Sequence, residues 1–451
     1  MNLIDEEFIQ PKKVNKPKNA TKILLVLIVL VTIAIIAIIC IMAALKKDPF
    51  RVTLDGEANA EIKQLLLIEE DDVKVPIKEI APYLGYSAYN GDYINKSEET
   101  DKCYVESKNE IVNFVANSNK IEKINPSTME SSYYEIDEPV KMISGKLYIS
   151  PKGMSKAFNV YYEYNKAKNK IIIQTMSYII DIYVNEATEL GFKGISDDYD
   201  DAKASIDDLV ITIDSKGKYG IYDMANNKEI LEAKYDNISY IPVSNEFLIT
   251  SNGKMGIKDA QGKDIIKTKY QDIELISQDT KLYIIEQDDR YGVIDKNENV
   301  VIPAVFDKIG IDIKKFESNN IKNKFIILDY YIPVMRDSKW ALFDINGQQL
   351  TKLNYDGFGC IITSGKNAKS ALTIPSYDLI VAKKDKKYYL INREGTELGN
   401  GVDFEAIYLE IEAGKTTYYI TRNEKTVDIE KIMERLLNMK KTSNIKRVPF
   451  L

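Results

Sequence analysis

The longest apolar run in the sequence lies near its start. Residues 23–45 read ILLVLIVLVTIAIIAIICIMAAL and contain no charged residue. At about 1.5 Å per residue, a helix of this length spans a hydrocarbon core of about 30 Å. The apolar part of a cleaved signal peptide is shorter, roughly 7–15 residues. The run therefore predicts a single transmembrane helix that is retained as a signal-anchor.

Basic residues flank this run unequally. The first 22 residues contain five Lys, whereas only Lys46, Lys47 and Arg51 follow closely on the other side. Because the flank richer in Lys and Arg stays in the cytoplasm, residues 1–22 are predicted to be a Lys-rich cytoplasmic tail. The plasma membrane is then contacted through residues 23–45, and everything that follows is extracellular.

A short phrase recurs five times in the second half of the chain. Each copy begins with a basic residue and a large residue, and Gly follows them in the first three copies. β-favouring residues come next, and each copy ends with Asp or Asn. The copies begin at Lys218, Lys254, Arg290, Lys339 and Lys387. Their spacings are 36, 36, 49 and 48 residues, so the last two intervals contain insertions, which we expect in loops.

Each copy also has similar surroundings. A β-rich run precedes it, a turn rich in Asn and Gly follows most copies, and an aromatic residue comes 15 or 16 positions after its second residue. These aromatic residues are Tyr235, Tyr270, Phe306, Tyr355 and Phe404. Each copy therefore predicts about three short strands, in an all-β repeat domain over residues 209–426 whose units cover one another's apolar faces.

The sequence allows three overall arrangements of the repeats. We favour a closed, propeller-like ring, in which a strand at 418–421 completes the first unit, because closure protects edge strands. An open β-solenoid and a barrel-like array are the alternatives. Residues 427–451 are predicted to form a C-terminal helix and tail, with an apolar stripe packed on the last repeat.

The region between the apolar run and the repeats contains two similar elements. VKVPIKEIAPYLGY (73–86) and KLYISPKGMSKAFNVYYEYNKAKNKIIIQT (146–175) each place a β-rich run before Pro and a short amphipathic helix. Gly85 and Asn159 are predicted to end these helices. The second element continues into a β-hairpin. A small α+β domain over residues 50–176 is the expectation.

Both regions resemble known families. Residues 50–176 resemble the copper amine oxidase-like N-terminal domain, or stalk domain, although Ser150 and Lys152 replace residues that are apolar in that family. The five copies resemble WG repeats, in which an aromatic residue and Gly begin a strand. Only Trp340 retains the Trp, and Ala341 and Tyr389 replace the Gly, so copies four and five are predicted to be distorted. An aromatic row of this kind could bind sugars, but we expect the aromatic residues of the repeats to lie in the core.

Composition excludes several kinds of chemistry. The chain has no His and only three Cys, so zinc sites, Ser-His-Asp triads and Cys-His dyads cannot be assembled from it. Copper is not expected either, and no cofactor, metal-binding or catalytic residue is assigned. A disulfide between Cys103 and Cys360 is not expected, and a disulfide-poor exterior suits a Gram-positive bacterium. Of the net charge of −7, the first 22 residues hold +2 and the rest −9, which argues against nucleic acid as a partner.

Two acidic patterns have plain explanations. Residues 177–208 are predicted to be an acidic linker, because Ser196–Asp201 contains four carboxylates in six residues. Calcium binding there is the less favoured alternative. Asp295, Asn297 and Asn299 resemble half of a calcium loop, but a hairpin turn accounts for them.

The sequence favours a non-catalytic cell-surface protein. It would display its repeats on a stalk and bind a cell-envelope polymer or another protein, with binding residues that the sequence does not identify. One alternative is a sensor or scaffold that passes external binding to cytoplasmic partners. Another is a glycosidase that depends on two carboxylates, which needs no His.

Overall fold

The computed structural model describes residues 29–38, 50–69, 72–93, 99–129, 131–165, 167–277, 279–313, 316, 325–363, 367–412 and 415–438. Residues 29–38 form a helix, α1, with large apolar side chains that are exposed. Within the described ranges, no helix has both the length and the apolar character needed to cross a membrane. The predicted transmembrane helix at 23–45 lies mostly outside them.

The first module contains thirteen strands and three helices in its described residues. The helices are α2 (Ala60–Leu65), α3 (Ile77–Ile80) and α4 (Pro151–Phe158). The strands are β1 (Arg51–Leu54), β2 (Glu57–Ala58), β3 (Leu67–Glu69), β4 (Asp72–Pro76), β5 (Ser87–Asn90), β6 (Lys102–Glu106), β7 (Ile111–Val115), β8 (Lys120–Ile124), β9 (Ser131–Glu135), β10 (Lys141–Ile143), β11 (Lys146–Ile149), β12 (Val160–Asn165) and β13 (Lys170–Thr175).

These strands form three sheets around one apolar core. Two sheets have the orders β12-β13-β1-β2 and β10-β11-β4-β3, and β1 runs parallel to β13. The third is an antiparallel five-stranded sheet, β5-β6-β7-β8-β9, built from the weakly patterned stretch between the two similar elements. Helices α3 and α4 bury Ile77, Ile80, Met154 and Phe158 in this core.

The two similar elements fold as the sequence predicts. Pro76 precedes α3, which continues as a 3-10 turn over Ala81–Leu84, and Gly85 then ends the turn with φ 83°. Ser150 begins α4 by accepting a hydrogen bond from the Gly153 backbone N–H at 2.9 Å, and Asn159 ends it with φ 50°. Ser150, a departure from the stalk-domain pattern, is thus a helix N-cap.

The prediction of an acidic linker over 177–208 is wrong. This segment forms α5 (Met176–Glu189), β14 (Gly194–Ile195), α6 (Tyr199–Ala202) and a 3-10 turn over Lys203–Asp207. Asp198 caps α6, and the buried Asp201 accepts hydrogen bonds from the Ser196 hydroxyl and from the Tyr240 backbone N–H. Local capping and burial therefore offset the charge density that suggested a solvated connector.

The second module consists of short strands and a final helix, α7 (Glu430–Asn438). Its strands after β14 are β15 (Leu209–Ile213), β16 (Tyr219–Asp223), β17 (Lys228–Tyr235), β18 (Asn237–Ile241), β19 (Glu246–Ser251), β20 (Lys254–Asp259), β21 (Asp264–Tyr270), β22 (Asp272–Ser277), β23 (Leu282–Gln287), β24 (Arg290–Asp295), β25 (Val300–Phe306), β26 (Lys308–Ile309), β27 (Tyr331–Arg336), β28 (Lys339–Asp344), β29 (Gly357–Phe358), β30 (Lys369–Ser370), β31 (Thr373–Ile374), β32 (Leu379–Lys384), β33 (Lys387–Ile391), β34 (Ala406–Glu412), β35 (Lys415–Arg422) and β36 (Lys425–Asp428).

These strands form six successive, separate sheets. The first three are regular four-stranded meanders, β14 to β17, β18 to β21 and β22 to β25. The fourth contains β26, β27 and β28, the fifth contains β29, β31, β32 and β33, and the sixth has the order β30-β34-β35-β36. Separate sheets of this kind do not form the barrel-like array that the sequence left as an alternative.

The core of the second module lies between neighbouring sheets. Ile211 and Ile221 of the first sheet, for example, pack with Phe247 and Ile249 of the second. Similar clusters join the second to the third sheet, the third to the fourth, the fourth to the fifth and the fifth to the sixth. Each unit therefore covers its neighbour's apolar face, as the repeat pattern predicts.

The two irregular units coincide with the two irregular sequence copies. In the regular sheets the third strand carries Gly opposite a bulge of the fourth, and a Cβ at Gly220 would lie 2.6 Å from the Leu231 carbonyl oxygen. Ala341 replaces this Gly in the fourth sheet. There the regular fourth strand is replaced by isolated bridges, which include Trp340 with Tyr355. The predicted distortion is confirmed.

The predicted closing strand pairs elsewhere. β35, which contains residues 418–421, pairs with β34 and β36, and β14 completes the first sheet. The local partner prevails because β14 precedes β15 by a short connection, which lowers the entropy of pairing. Helix α7 buries Met433 and Leu436 against the fifth and sixth sheets, as the apolar stripe predicts.

Candidate functional site

The five-stranded sheet of the first module has two chemically different faces. Cys103, Phe114 and Ile121 point into the module's core. The alternate positions point to the other face, because successive side chains of a strand lie on opposite sides of a sheet. This outer face carries the polar and aromatic residues that distinguish the sheet from the rest of the module.

A continuous row of side chains crosses the outer face. Cross-strand pairing places Tyr89 beside Tyr104, Tyr104 beside Asn113, Asn113 beside Glu122, and Glu122 beside Tyr133. The row therefore has one member on each of the five strands. We call these five residues the tyrosine row.

Ring contacts organise one end of the tyrosine row. The Tyr89 and Tyr104 rings stack with centroids 4.9 Å apart, and Tyr93 meets Tyr104 edge-on at 5.5 Å. Tyr89 is 44% exposed, so this stacked pair presents an aromatic surface to solvent. Tyr133, at the other end of the row, is 39% exposed.

Hydrogen bonds organise the middle and the far end. The Asn113 Nδ2 group donates to Glu122 Oε2 at 2.8 Å, and the Tyr133 hydroxyl donates to Glu122 Oε1 at 2.9 Å. Partial burial, the Glu122 charge and this hydrogen bond together raise the pKa of Tyr133 above its ordinary value. Tyr133 therefore keeps its proton, and both Glu122 oxygens accept hydrogen bonds from the protein.

A cavity of about 270 Å³ lies over this part of the sheet. Asn113, Glu122 and Tyr133 of the row line it, together with Asp92, Val115, Ser118, Lys120 and Asp279. Asp279 belongs to the connection between β22 and β23 of the second module. Both modules therefore contribute to the wall of this cavity.

A buried charge network joins the first module to the segment that leads into the repeats. The Glu110 carboxylate lies 3.3 Å from Lys123 Nζ and 3.4 Å from Lys203 Nζ. Glu110 and Lys123 are almost fully buried, with side chains 4% and 6% exposed. Lys203 lies in the 3-10 turn just before β15, so this network spans the boundary between the modules.

Neutral partners complete the network. The Tyr86 hydroxyl and the Asn159 Nδ2 group donate to Glu110 at 2.7 and 2.6 Å. Asn159 also accepts from Lys123 at 2.7 Å and donates to the Tyr199 hydroxyl at 3.2 Å. Burial lowers the pKa of Lys123 to about 8, although Glu110 opposes this shift. We call Glu110, Lys123, Lys203, Tyr86 and Asn159 the interdomain network.

The sequence-based candidates have structural roles in the described chain. The large second residues of the five copies, four of them aromatic, are partly buried and pack against the clusters between sheets, as expected of residues that contribute to the core; they are Tyr219, Met255, Tyr291, Trp340 and Tyr388. Asp295 accepts hydrogen bonds from the backbone N–H groups of Asn297 and Asn299, which confirms the hairpin turn. In the described ranges, no three His, Cys, Asp or Glu residues are grouped to hold a metal ion.

The sequence did not identify the tyrosine row. Its strands lie almost wholly within residues 88–140, where the alternation of apolar and polar residues is weak. A period-two pattern is visible in part of it, because Tyr104 and Asn113 alternate with core residues such as Cys103, Val105 and Phe114. The pairing register that aligns five strands is not visible in any one of them.

Comparison with protein families identifies both kinds of domain. Residues 53–173 match the copper amine oxidase N-terminal domain, and residues 291–315 match the WG containing repeat. The chain thus contains a stalk-type domain followed by WG repeats. The WG match covers the third sequence copy, and the first two copies share its four-stranded pattern. Comparison with curated proteins gives no match.

Several solved structures align with much of the chain at low similarity. A eukaryotic initiation factor aligns at 11% identity over 74% of this chain and 90% of its own, with a TM-score of 0.26. The computationally designed Ika8 protein aligns at 9% identity over 74% of this chain and 93% of its own, with a TM-score of 0.22. The C-terminal WD40 domain of Sif2 aligns at 10% identity over 73% and 66%, with a TM-score of 0.19. TM-scores this low support no conclusion about this chain.

Proposed function

We propose that this chain is a non-catalytic binding protein of the bacterial cell surface. Residues 23–45 anchor it in the plasma membrane with its N-terminus in the cytoplasm, and both modules lie outside, where they bind a cell-envelope polymer. The observation that carries this proposal is the tyrosine row, which crosses all five strands of a sheet beside a cavity shared by both modules.

The geometry at Glu122 supports binding more than catalysis. A glycosidase needs one carboxylic acid that gives a proton to the leaving group and a second carboxylate at a set distance. Both Glu122 oxygens instead accept hydrogen bonds from Asn113 and Tyr133. The protein thus holds this carboxylate in place as a hydrogen-bond acceptor, which favours a binding role.

The interdomain network supports a preformed site. Glu110 is held by two Lys residues, a Tyr and an Asn, and Lys203 comes from the segment that precedes the repeats. A buried network of this kind fixes the geometry of the parts that it joins. A site that is rigid before binding loses less entropy when the ligand arrives.

We further propose that the six sheets form an open stack, not the propeller-like ring that the sequence favoured. The first sheet's outward face carries Val210 and Tyr222, and the Phe192 ring, which follows α5, contacts Tyr222 at 5.7 Å. In a ring this face would pack against the sixth sheet. A covered first sheet serves as the cap that an open repeat array requires.

A binding assay with cell-wall sacculi tests the proposed function. Full-length protein in mild detergent should be retained on purified Gram-positive sacculi and released by soluble wall fragments. Sacculi freed of protein by protease treatment should retain it equally well. If only untreated sacculi retain it, the ligand is a protein and the polymer proposal is wrong.

A protease assay on intact protoplasts tests the topology. External protease should digest both modules, whereas a tag at Met1 should be protected because the Lys-rich flank stays inside. A matched sample with permeabilised membranes should lose the tag as well. Loss of the tag from intact protoplasts, with both modules retained, would show the opposite orientation.

A further inference from the structure

We infer that the tyrosine row and its cavity bind a strand of uncharged sugars and reject polyanionic wall polymers. This inference rests on the proposed function and specifies its ligand. It follows from three properties of the site: the hydrogen-bonding character of the cavity, the placement of the aromatic rings and the charge around them.

The cavity presents mainly hydrogen-bond acceptors. The Tyr133 hydroxyl proton and one N–H of the Asn113 amide group are both directed at Glu122, so these two protons are used within the protein. The wall adds the carboxylate of Asp279. A ligand that satisfies such a wall must bring its own donors, as sugar hydroxyl and amide N–H groups do.

The aromatic rings lie where sugar rings would stack. Tyr89 and Tyr104 expose a stacked aromatic surface at one end of the row, and Tyr133 is partly exposed at the other. The row crosses four strand spacings, which at about 4.8 Å each amounts to roughly 19 Å. The exposed rings lie at the two ends of this distance, and Asn113 between them is buried. A ligand that contacts both ends must extend over several consecutive sugars, so the natural ligand is a chain and not a single sugar.

Charge complementarity argues against polymers rich in phosphate. Glu122, Asp92 and Asp279 share the cavity with one basic residue, Lys120. The chain beyond residue 22 carries a net charge of −9. Like charges at close range disfavour binding, and the desolvated phosphate would meet acceptors where it needs donors. Uncharged sugars meet neither obstacle.

Calorimetry on the full-length protein in detergent tests the inference. The probes are a soluble hexamer of N-acetylglucosamine and a glycerol phosphate polymer. We expect the hexamer to bind and the phosphate polymer not to bind. Tyr89→Ala removes one ring of the stacked pair, and Glu122→Gln replaces an acceptor by an amide of the same size. Each should weaken hexamer binding about tenfold, which corresponds to about 1.4 kcal/mol.

The protein contains a matched control for the aromatic variant. Tyr408 and Tyr419 form a second stacked cross-strand pair, 5.5 Å between centroids, on the sixth sheet. Tyr408→Ala removes an equivalent ring away from the row and should leave hexamer binding unchanged. An equal loss from Tyr408→Ala and Tyr89→Ala would overturn the assignment to the row.

The two proposals fail in different ways. If sacculi retain the protein but the phosphate polymer binds and the hexamer does not, the uncharged-sugar inference is wrong while polymer binding stands. If sacculi retain the protein and neither probe binds, the inference is also wrong. If protease-treated sacculi retain nothing, the proposed function itself fails.

Discussion

Glu110 shows how a single buried charge determines the behaviour of its surroundings. Burial alone would raise the pKa of Glu110, but Lys123 and Lys203 outweigh it, and the pKa lies below its ordinary value. The Tyr86 hydroxyl also donates to this carboxylate. Glu110 thus provides negative charge to two ammonium groups. Each Lys, in contrast, is only one of several groups that contact Glu110. The interdomain network should therefore respond asymmetrically to substitution.

Glu110→Gln should destabilise the protein far more than Lys123→Met. The first change leaves the ammonium group of Lys123 buried without its counter-charge, which typically costs about 3–5 kcal/mol, whereas Lys203 still contacts Asp200 at 2.7 Å. The second removes a poorly solvated charge and leaves Glu110 paired with Lys203. Thermal unfolding of the full-length variants measures both. Equal losses would show that the network has no such asymmetry.

The pH dependence of stability should isolate Lys123. Its pKa is about 8 in the folded protein and 10.5 in the unfolded reference. Between these values the unfolded state binds more protons, so the stability of the native protein should rise with pH relative to Lys123→Met. Below about pH 8 both states are protonated, and the difference should be constant. A difference that falls as the pH rises from 8 to 10 would contradict the assigned shift.

At the level of elements, the sequence predicted those whose signals are local. Pro76 and Gly85 bracket one helical element, and the repeat phrase marks its own strand and turn. The five-stranded sheet was missed because both of its faces are partly covered, so no clean alternation of apolar and polar residues remains. The linker at 177–208 was mispredicted because the burial of Asp201 depends on Tyr240, 39 residues later.

The Gly of the repeat phrase has a steric role that can be tested. A Cβ at Gly256 would lie 2.6 Å from the Thr268 backbone nitrogen, where the fourth strand bulges toward the third. Gly256→Ala should therefore destabilise the second sheet by about 1–3 kcal/mol, the usual range for overpacking. Denaturant unfolding measures the loss.

Gly194→Ala is the matched control. Gly194 also lies in a strand of the second module, but no atom outside its neighbours comes within 4 Å of the position that a Cβ would take there. This variant should unfold with the native midpoint or slightly above it, since Ala restricts the unfolded chain. Comparable losses in both variants would indicate that backbone freedom, and not the bulge, explains the glycines.

At the level of the whole molecule, a repeated ion pair links successive sheets. Lys218, immediately before the third strand of the first sheet, contacts Asp236 at 2.6 Å, and Asp236 also accepts a hydrogen bond from the Asn252 backbone N–H in the hairpin of the second sheet. Lys339 and Asp356 repeat this arrangement between the fourth and fifth sheets at 2.6 Å. Together with the apolar clusters, these pairs couple each sheet to its neighbours along the chain.

Nearest-neighbour coupling implies that damage at one end of an open stack stays local. Met433 in α7 is 2% exposed and packs on the fifth and sixth sheets, whereas Leu437 on the same helix is 51% exposed. Met433→Ala should lower the free energy of unfolding by about 2–5 kcal/mol, and Leu437→Ala should have little effect on it. Amide hydrogen exchange resolves the result sheet by sheet, because it reports local opening.

Met433→Ala should therefore accelerate exchange in β32 to β36 and leave β15 and β16 unchanged. In a closed ring the sixth sheet would support the first, so weakening it would also release β15 and β16. Leu437→Ala provides the baseline for a change in α7 that removes no buried contact. Equal acceleration of exchange in the first and sixth sheets would refute the open stack and support the closed ring. Only a direct contact between these two sheets would transmit the loss of stability without involving the four sheets between them.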